Sequence, residues 1–279
     1  MASQPDDRRE EAAAALALLL IGRRYDLPTL IRQNKIKPRP FRQIAPTEAL
    51  RSTMAAPYFD VVRAWAGERD ALMRAYAVAR AEGSAASITA EVDRAAIRIL
   101  HNRPMIITRI NAALARFEQW HRVQWAGRIS AATGLDVSTL TSPSEVRNDL
   151  ANASVWGQQL AQSVHQDTHG KIAAAFVAAA IAMKPAREVQ GEFNAIIAKA
   201  RKRAARIGVD QTEKASRAFD RARRVAAGLA RFRWRHTPQK HPRDDHKARD
   251  RRIYREDRAP NDRAGTLPGC KCWEEPLYE

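Results

Sequence analysis

The sequence predicts a mainly α protein: a multi-helix scaffold followed by a small α+β C-terminal domain with short antiparallel strands. Three observations predict it. Alanine and arginine dominate a chain of 279 residues in which aromatics make up 6% and glycines number 12. Apolar residues recur at the i, i+3, i+4, i+7 spacing of buried helix faces from about residue 58 to residue 229. After that, Arg231-Phe232-Arg233-Trp234-Arg235 alternates strictly, the period of a strand.

The elements follow in order. A helix is expected over about 7–22, carrying the apolar run Ala12 to Ile21, and a short helix begins at Pro28. Lys35 to Thr47 contains Pro38, Pro40 and Pro46 and should be extended. Helices fit about 58–83, 88–101 and 104–132. The last places Ile106, Ile110, Ala113, Leu114 and Phe117 on one stripe and would be roughly 40 Å long at about 1.5 Å per residue. Gly134 to Glu145, rich in Ser, Thr and Asp, reads as a boundary. The expected division is therefore an N-terminal helical region at 1–135, a linker at 136–145 and a C-terminal domain at 146–279. Helices are expected at about 144–165, 168–183 and 186–207. Gly208 then reads as a helix stop, with Asp210 as N-cap and Glu213 completing a capping pair for a further helix to Leu229. Arg251-Arg252-Ile253-Tyr254-Arg255 suggests a second short strand.

Neither Ala12 to Ile21 nor Ile172 to Met183 reaches the roughly 20 apolar residues of a bilayer span. Asp6, Asp7, Glu10 and Glu11 precede the first run, the wrong charge for a signal peptide. No membrane partner is expected. Net charge is +17, and residues 201–258 hold 20 Lys and Arg against 8 Asp and Glu. Such an imbalance suits nucleic acid or an acidic protein surface. The candidate binding residues are Arg203 and Arg206, the helical stripe Arg217, Arg221 and Arg224, and the strand arginines Arg231, Arg233 and Arg235. The bland alternative is a solvated basic face.

No phosphate-binding loop, nucleophile elbow or His-Glu-x-x-His motif occurs. The two cysteines, Cys270 and Cys272, are too close to staple distant elements, which points to a reducing compartment. The constellation able to do chemistry is His236, His241, His246, Asp244, Asp245, Cys270 and Cys272. Thiolate and imidazole suit zinc, yet Cys-x-Cys is not the common Cys-x2-Cys spacing. The expectation is no cofactor and a dispensable metal. A structural zinc on His246, Cys270 and Cys272 is the lesser alternative. On the favoured reading His246 and Asp250 fix a turn by hydrogen bonds and the thiols pack as small apolar groups.

The ordered set Asp210-Gln-Thr-Glu-Lys, basic helix, Phe232-Arg-Trp-Arg-His236, His246, Asp250, a strand ending in an aromatic, and Pro268-Gly-Cys-Lys-Cys-Trp273 resembles the Mu F-like phage minor head protein family (phage head morphogenesis domain). Trp234, His246, Asp250, Tyr254, Cys270, Cys272 and Pro276 match by position. Gln239 stands where the family usually has Asp, and Arg251 where it usually has Gly. The resemblance implies a non-enzymatic, low-copy component of the phage head, assembled in the host cytoplasm. It would sit at the portal vertex and act in head assembly and DNA packaging or ejection. The implied partners are the phage portal protein, the major capsid or scaffold protein, and double-stranded DNA. A metal-dependent nuclease and a stand-alone, sequence-independent DNA-binding protein are the alternatives.

Overall fold

Helices carry the chain as far as Ala226, and a three-stranded antiparallel sheet follows. The structure is a computed structural model that describes residues 25–238 and 243–278. The expected helix over 7–22, Gln239 and His241 lie outside the described residues. The helices are α1 (Leu27–Gln33), α2 (Glu48–Gly67), α3 (Arg69–Glu82), α4 (Ala86–His101), α5 (Arg103–Thr133), α6 (Arg147–Ile181) and α7 (Ala186–Ala226). They are followed by β1 (Arg231–Arg235), a short α8 (Asp244–Ala248), β2 (Ile253–Arg255) and β3 (Trp273–Pro276). This is the mainly α architecture with a small α+β C-terminal part that the sequence predicts. No described helix is long and apolar enough to cross a membrane.

Three boundaries differ from expectation. α2 starts ahead of Pro57 and contains it, and the break falls instead at Glu68. The two helices expected within 144–183 are the single helix α6, preceded by a 3-10 turn at Pro143–Val146 that Ser142 caps. Gly208 does not end a helix, and Asp210 does not start one: α7 runs through both. A Cβ on Gly208 would lie 2.3 Å from the Ala55 Cβ and 2.6 Å from its Cα. The glycine is a point of close approach to α2 rather than a stop.

Two units divide the chain, each built from separated segments. One comprises Thr47–Ala115 and Asn152–Thr212. Its core includes Tyr58, Val62, Trp65, Tyr76, Phe176 and Phe193. Trp65 stacks on His165 and His169, and the Tyr76 hydroxyl donates to the Lys184 carbonyl at 2.6 Å. The other comprises Met1–Pro46, Arg116–Ala151 and Glu213–Glu279. Leu27, Ile31, Phe41, Trp125, Ile129 and Leu229 belong to one of its clusters, with Trp273 and Tyr278 packed against it. The borders fall between Pro46 and Thr47 and within α5, α6 and α7, and the segment 136–145 carries none. That segment lies inside one unit because it sends Val137 and Glu145 into the interior. Its polar composition hides those two anchors.

Gly208→Ala should therefore destabilise the protein by about 1–3 kcal/mol through overpacking. Alanine at the exposed helical Gly191, where a Cβ meets nothing, should stabilise it by about 0.5–1 kcal/mol. Urea unfolding of the two variants checks the contrast.

Candidate functional site at the C-terminal sheet

The site begins with how α7 ends. Gly228 takes φ 75°, its N–H donates to the Val225 carbonyl, and the Leu229 N–H donates to the Arg224 carbonyl. These bonds form a Schellman cap that glycine's freedom at positive φ permits. The chain turns directly into β1. Strand order is β2-β1-β3, with Phe232 opposite Tyr254 and Pro276, and Trp234 opposite Glu274. Period two places Phe232 and Trp234 on the inner face, both fully buried.

Two arginines close over Phe232 and two glutamates pair with them. The Arg224 and Arg263 guanidiniums lie 4.6 and 4.9 Å from its ring centre. Arg263 donates to Glu274 at 2.7 Å and to Glu256 at 2.9 Å. Arg224 reaches Glu256, Glu274 at 3.0 Å and the Leu229 carbonyl at 3.0 Å. Burial raises the Glu256 pKa, but the Arg263 and Arg224 guanidiniums outweigh it and hold the carboxyl down to about 2.

Beside Phe232, Trp234 meets His246 edge-on at 5.1 Å and carries the Arg249 guanidinium 5.2 Å from its ring centre. His246 projects from α8 and is buried. Its Nε2 is 3.2 Å from Asp262 Oδ2, and its Nδ1 is 3.3 Å from Cys270 Sγ and 3.7 Å from Cys272 Sγ. An Nε2–H donated to the carboxylate leaves the Nδ1 lone pair facing both sulfurs. The Cys272 thiol, hydrogen-bonded to Cys270, pulls the Cys270 pKa to about 5 against its burial. The same bond and burial push Cys272 up, so the pair is set to share one proton. Asp250 acts one step away: its Oδ1 accepts the His236 backbone N–H at 2.8 Å and fixes the exit from β1.

The motif residues Trp234, His246, Tyr254, Cys270 and Cys272 thus come together around one buried cluster. Asp250 and Pro276 sit at the edges of the same sheet. Arg251 occupies the position the resembling family gives to glycine, and it takes φ 65°. Its N–H donates to the Trp234 carbonyl at 2.8 Å, so the turn after Asp250 is kept at the cost of a left-handed non-glycine residue.

The basic stripe requires correction. Arg217 and Arg224 are buried, not presented to a partner. Arg217 is held by Glu213 and Asp220, each at 3.2 Å, and by the Ile44 carbonyl. Arg221 is half-buried, 3.9 Å from Asp149. Arg233 and Arg235 share the buried Glu275 of β3 at 3.4 and 3.7 Å, and Arg231 is half-buried. In the other unit Arg203 is tied to Asp167 and Ser163, whereas Arg206 is exposed. Helical spacing showed that Arg217 and Arg224 share a face; it carried no sign that the Ile44 carbonyl would cover Arg217, or that Glu256 and Glu274, distant in sequence, would cover Arg224.

Arg223 escaped notice altogether. It is fully buried, bonded to Glu118 at 2.5 Å, to His121 Nδ1 at 2.6 Å, and 3.5 Å from Glu145. Burial keeps His121 neutral, below the usual histidine range, against the pull of Asp220. Its Nε2–H donates to Asp220 at 3.0 Å, which leaves Nδ1 to accept from Arg223.

No protein-family model, curated protein or solved structure matches this chain.

The geometry fixes two outcomes. Glu256 has a depressed folded pKa, so its contribution is full above the usual carboxylate range and is lost as pH falls from about 4.5 towards 2. Glu256→Gln should cost on the order of 3 kcal/mol at neutral pH and flatten the acid limb of a stability–pH curve. Arg251→Gly should be neutral or stabilising by up to about 1 kcal/mol, whereas Arg251→Val should destabilise. Thermal unfolding of the three variants separates these effects.

Proposed function

We propose that the protein is a minor component of a phage head, associated with the portal vertex and acting in head assembly and DNA packaging or ejection. The reading rests on the ordered resemblance to the Mu F-like minor head proteins. One observation carries it furthest: residues spread from Trp234 to Pro276 that match the family's motifs lie in or beside a single three-stranded sheet. Motifs that coincide by chance have no reason to converge. Its partners on this reading are the portal protein, the major capsid or scaffold protein, and duplex DNA within the virion. Against the nuclease alternative stands the burial of His246, 1% exposed, although Asp245 beside it is exposed.

Of the basic residues first expected to meet a partner, Arg206 is the exposed one on α7. Lys199, Lys202 and Arg206 are exposed on α7 at i, i+3, i+7 spacing, and so form one stripe. Lysine and arginine there suit phosphate or carboxylate without base readout.

The experiment is co-purification of the chain with the portal protein from assembled heads. The expected result is incorporation in few copies. Replacing Lys199, Lys202 and Arg206 with glutamine should preserve helicity, because glutamine is a good helix former. If the stripe meets DNA, the variant should lower the slope of log affinity against log salt by about three units. If it meets an acidic protein surface, DNA binding should be unchanged and incorporation impaired. A chain absent from heads, or one that hydrolyses DNA, would defeat the reading.

A further inference from the structure

We propose that His246 Nδ1, Cys270 Sγ and Cys272 Sγ form a binding site for a thiophilic divalent cation, zinc above all. Their three ligand atoms lie within 4.8 Å of one another, and all three residues are buried. That spacing is close to what a single tetrahedral ion requires, with bonds of about 2.0–2.3 Å to nitrogen and sulfur. The donors come from two separate stretches, α8 and the segment leading into β3, so an ion would tie the tail to the turn.

The surroundings are arranged for ligands rather than for packing. Asp262 takes the far ring nitrogen of His246, the carboxylate–histidine arrangement that orients a metal-bound imidazole. Arg249 in turn engages Asp262 at 2.7 Å and Asp245 at 3.5 Å. That pairing commits the carboxylates and leaves the sulfur side of the ring as the open one.

Cys-x-Cys spacing weighed against zinc when two cysteines were expected to act as a knuckle on their own. With alternate residues on one face of an extended segment, the same spacing aims both sulfurs at His246. Among the described residues no fourth donor joins the three at this distance. The fourth position falls to solvent or to His236, whose Nε2 is buried without a hydrogen-bond partner just past β1.

The test uses the full chain, kept reduced, stripped with a chelator and titrated with Zn2+ or Co2+. The expected result is uptake of about one ion per chain. Cobalt should give a thiolate-to-metal charge-transfer band, and zinc should raise the urea midpoint of unfolding. The Cys270→Ser, Cys272→Ser double variant should lose the ion. Asp262→Asn keeps every ligand and should retain the stoichiometry with affinity about 10–100-fold weaker. His236→Gln should shift the cobalt spectrum if His236 supplies the fourth donor and leave it unchanged if solvent does; both outcomes keep the three-donor site. The proposal is overturned if the reduced chain takes up no zinc, if the two thiols prove to be joined as a disulfide in the native protein, or if the double variant binds zinc as wild type does. None of these outcomes bears on whether the chain assembles into heads.

Discussion

Two arginines and two glutamates closed over one phenylalanine ring hold the C-terminal third of this protein in place. Arg224 comes from the last turn of α7, Phe232 from β1, Glu256 from the turn after β2, Arg263 from the following loop and Glu274 from β3. Each segment enters the same buried volume with a charge or a π face, and the total charge there is zero. Removing four such groups from water is expensive, and an apolar core of equal volume would hold as well or better. What the ions add is selectivity. A misplaced segment leaves a buried charge without its partner, which costs far more than a misplaced methyl group.

The register of β3 shows that selectivity at work. Cys270, Cys272 and Glu274 alternate along one face, while Trp273 packs against the cluster that contains Leu27, Trp125 and Leu229. Glu275, on the side opposite Glu274, meets Arg233 and Arg235. A slip of one residue would reverse every one of these assignments. It would bring Lys271 to the inner face and carry both sulfurs away from His246. Both faces of the strand are therefore specified, although it is only four residues long.

Much of the helical scaffold was legible in the sequence because apolar periodicity is a local property. The stripe of α5 and the alternation of β1 follow from it, and local proline and glycine signals place the short helix at Pro28 and the ends of α4 and α5. What failed was the reading of single residues whose meaning is set by distant partners. Gly208 looked like a stop because glycine often is one; Ala55, some 150 residues earlier, is the reason it is there. Arg217 and Arg224 looked like a surface because arginine usually lies on one. Their acids lie at 213, 220, 256 and 274, and only the fold brings the last two to Arg224. β3 went unrecognised because Trp-Glu-Glu-Pro carries neither strand propensity nor clean alternation. Its place is set by pairing with β1. By contrast, the motif residues from Trp234 to Cys272 were all visible, since their order along the chain was itself the signal.

The two buried clusters meet in one short piece of chain, and that has a physical consequence. The segment holding Cys270 and Cys272 continues directly into Glu274, so any ordering of the sulfurs also orders the carboxylate that Arg224 and Arg263 require. On the other side, Arg249 rests on Trp234 and grips Asp262, the residue that orients His246. Asp262 is followed at once by Arg263, which belongs to the ionic cluster. A change at either cluster therefore reaches the other through a single peptide unit at 262–263 and two residues at 272–274. The thiol–imidazole group and the ionic cluster are coupled by covalent adjacency, and the sheet between them is best understood as one cooperative element rather than two neighbouring ones.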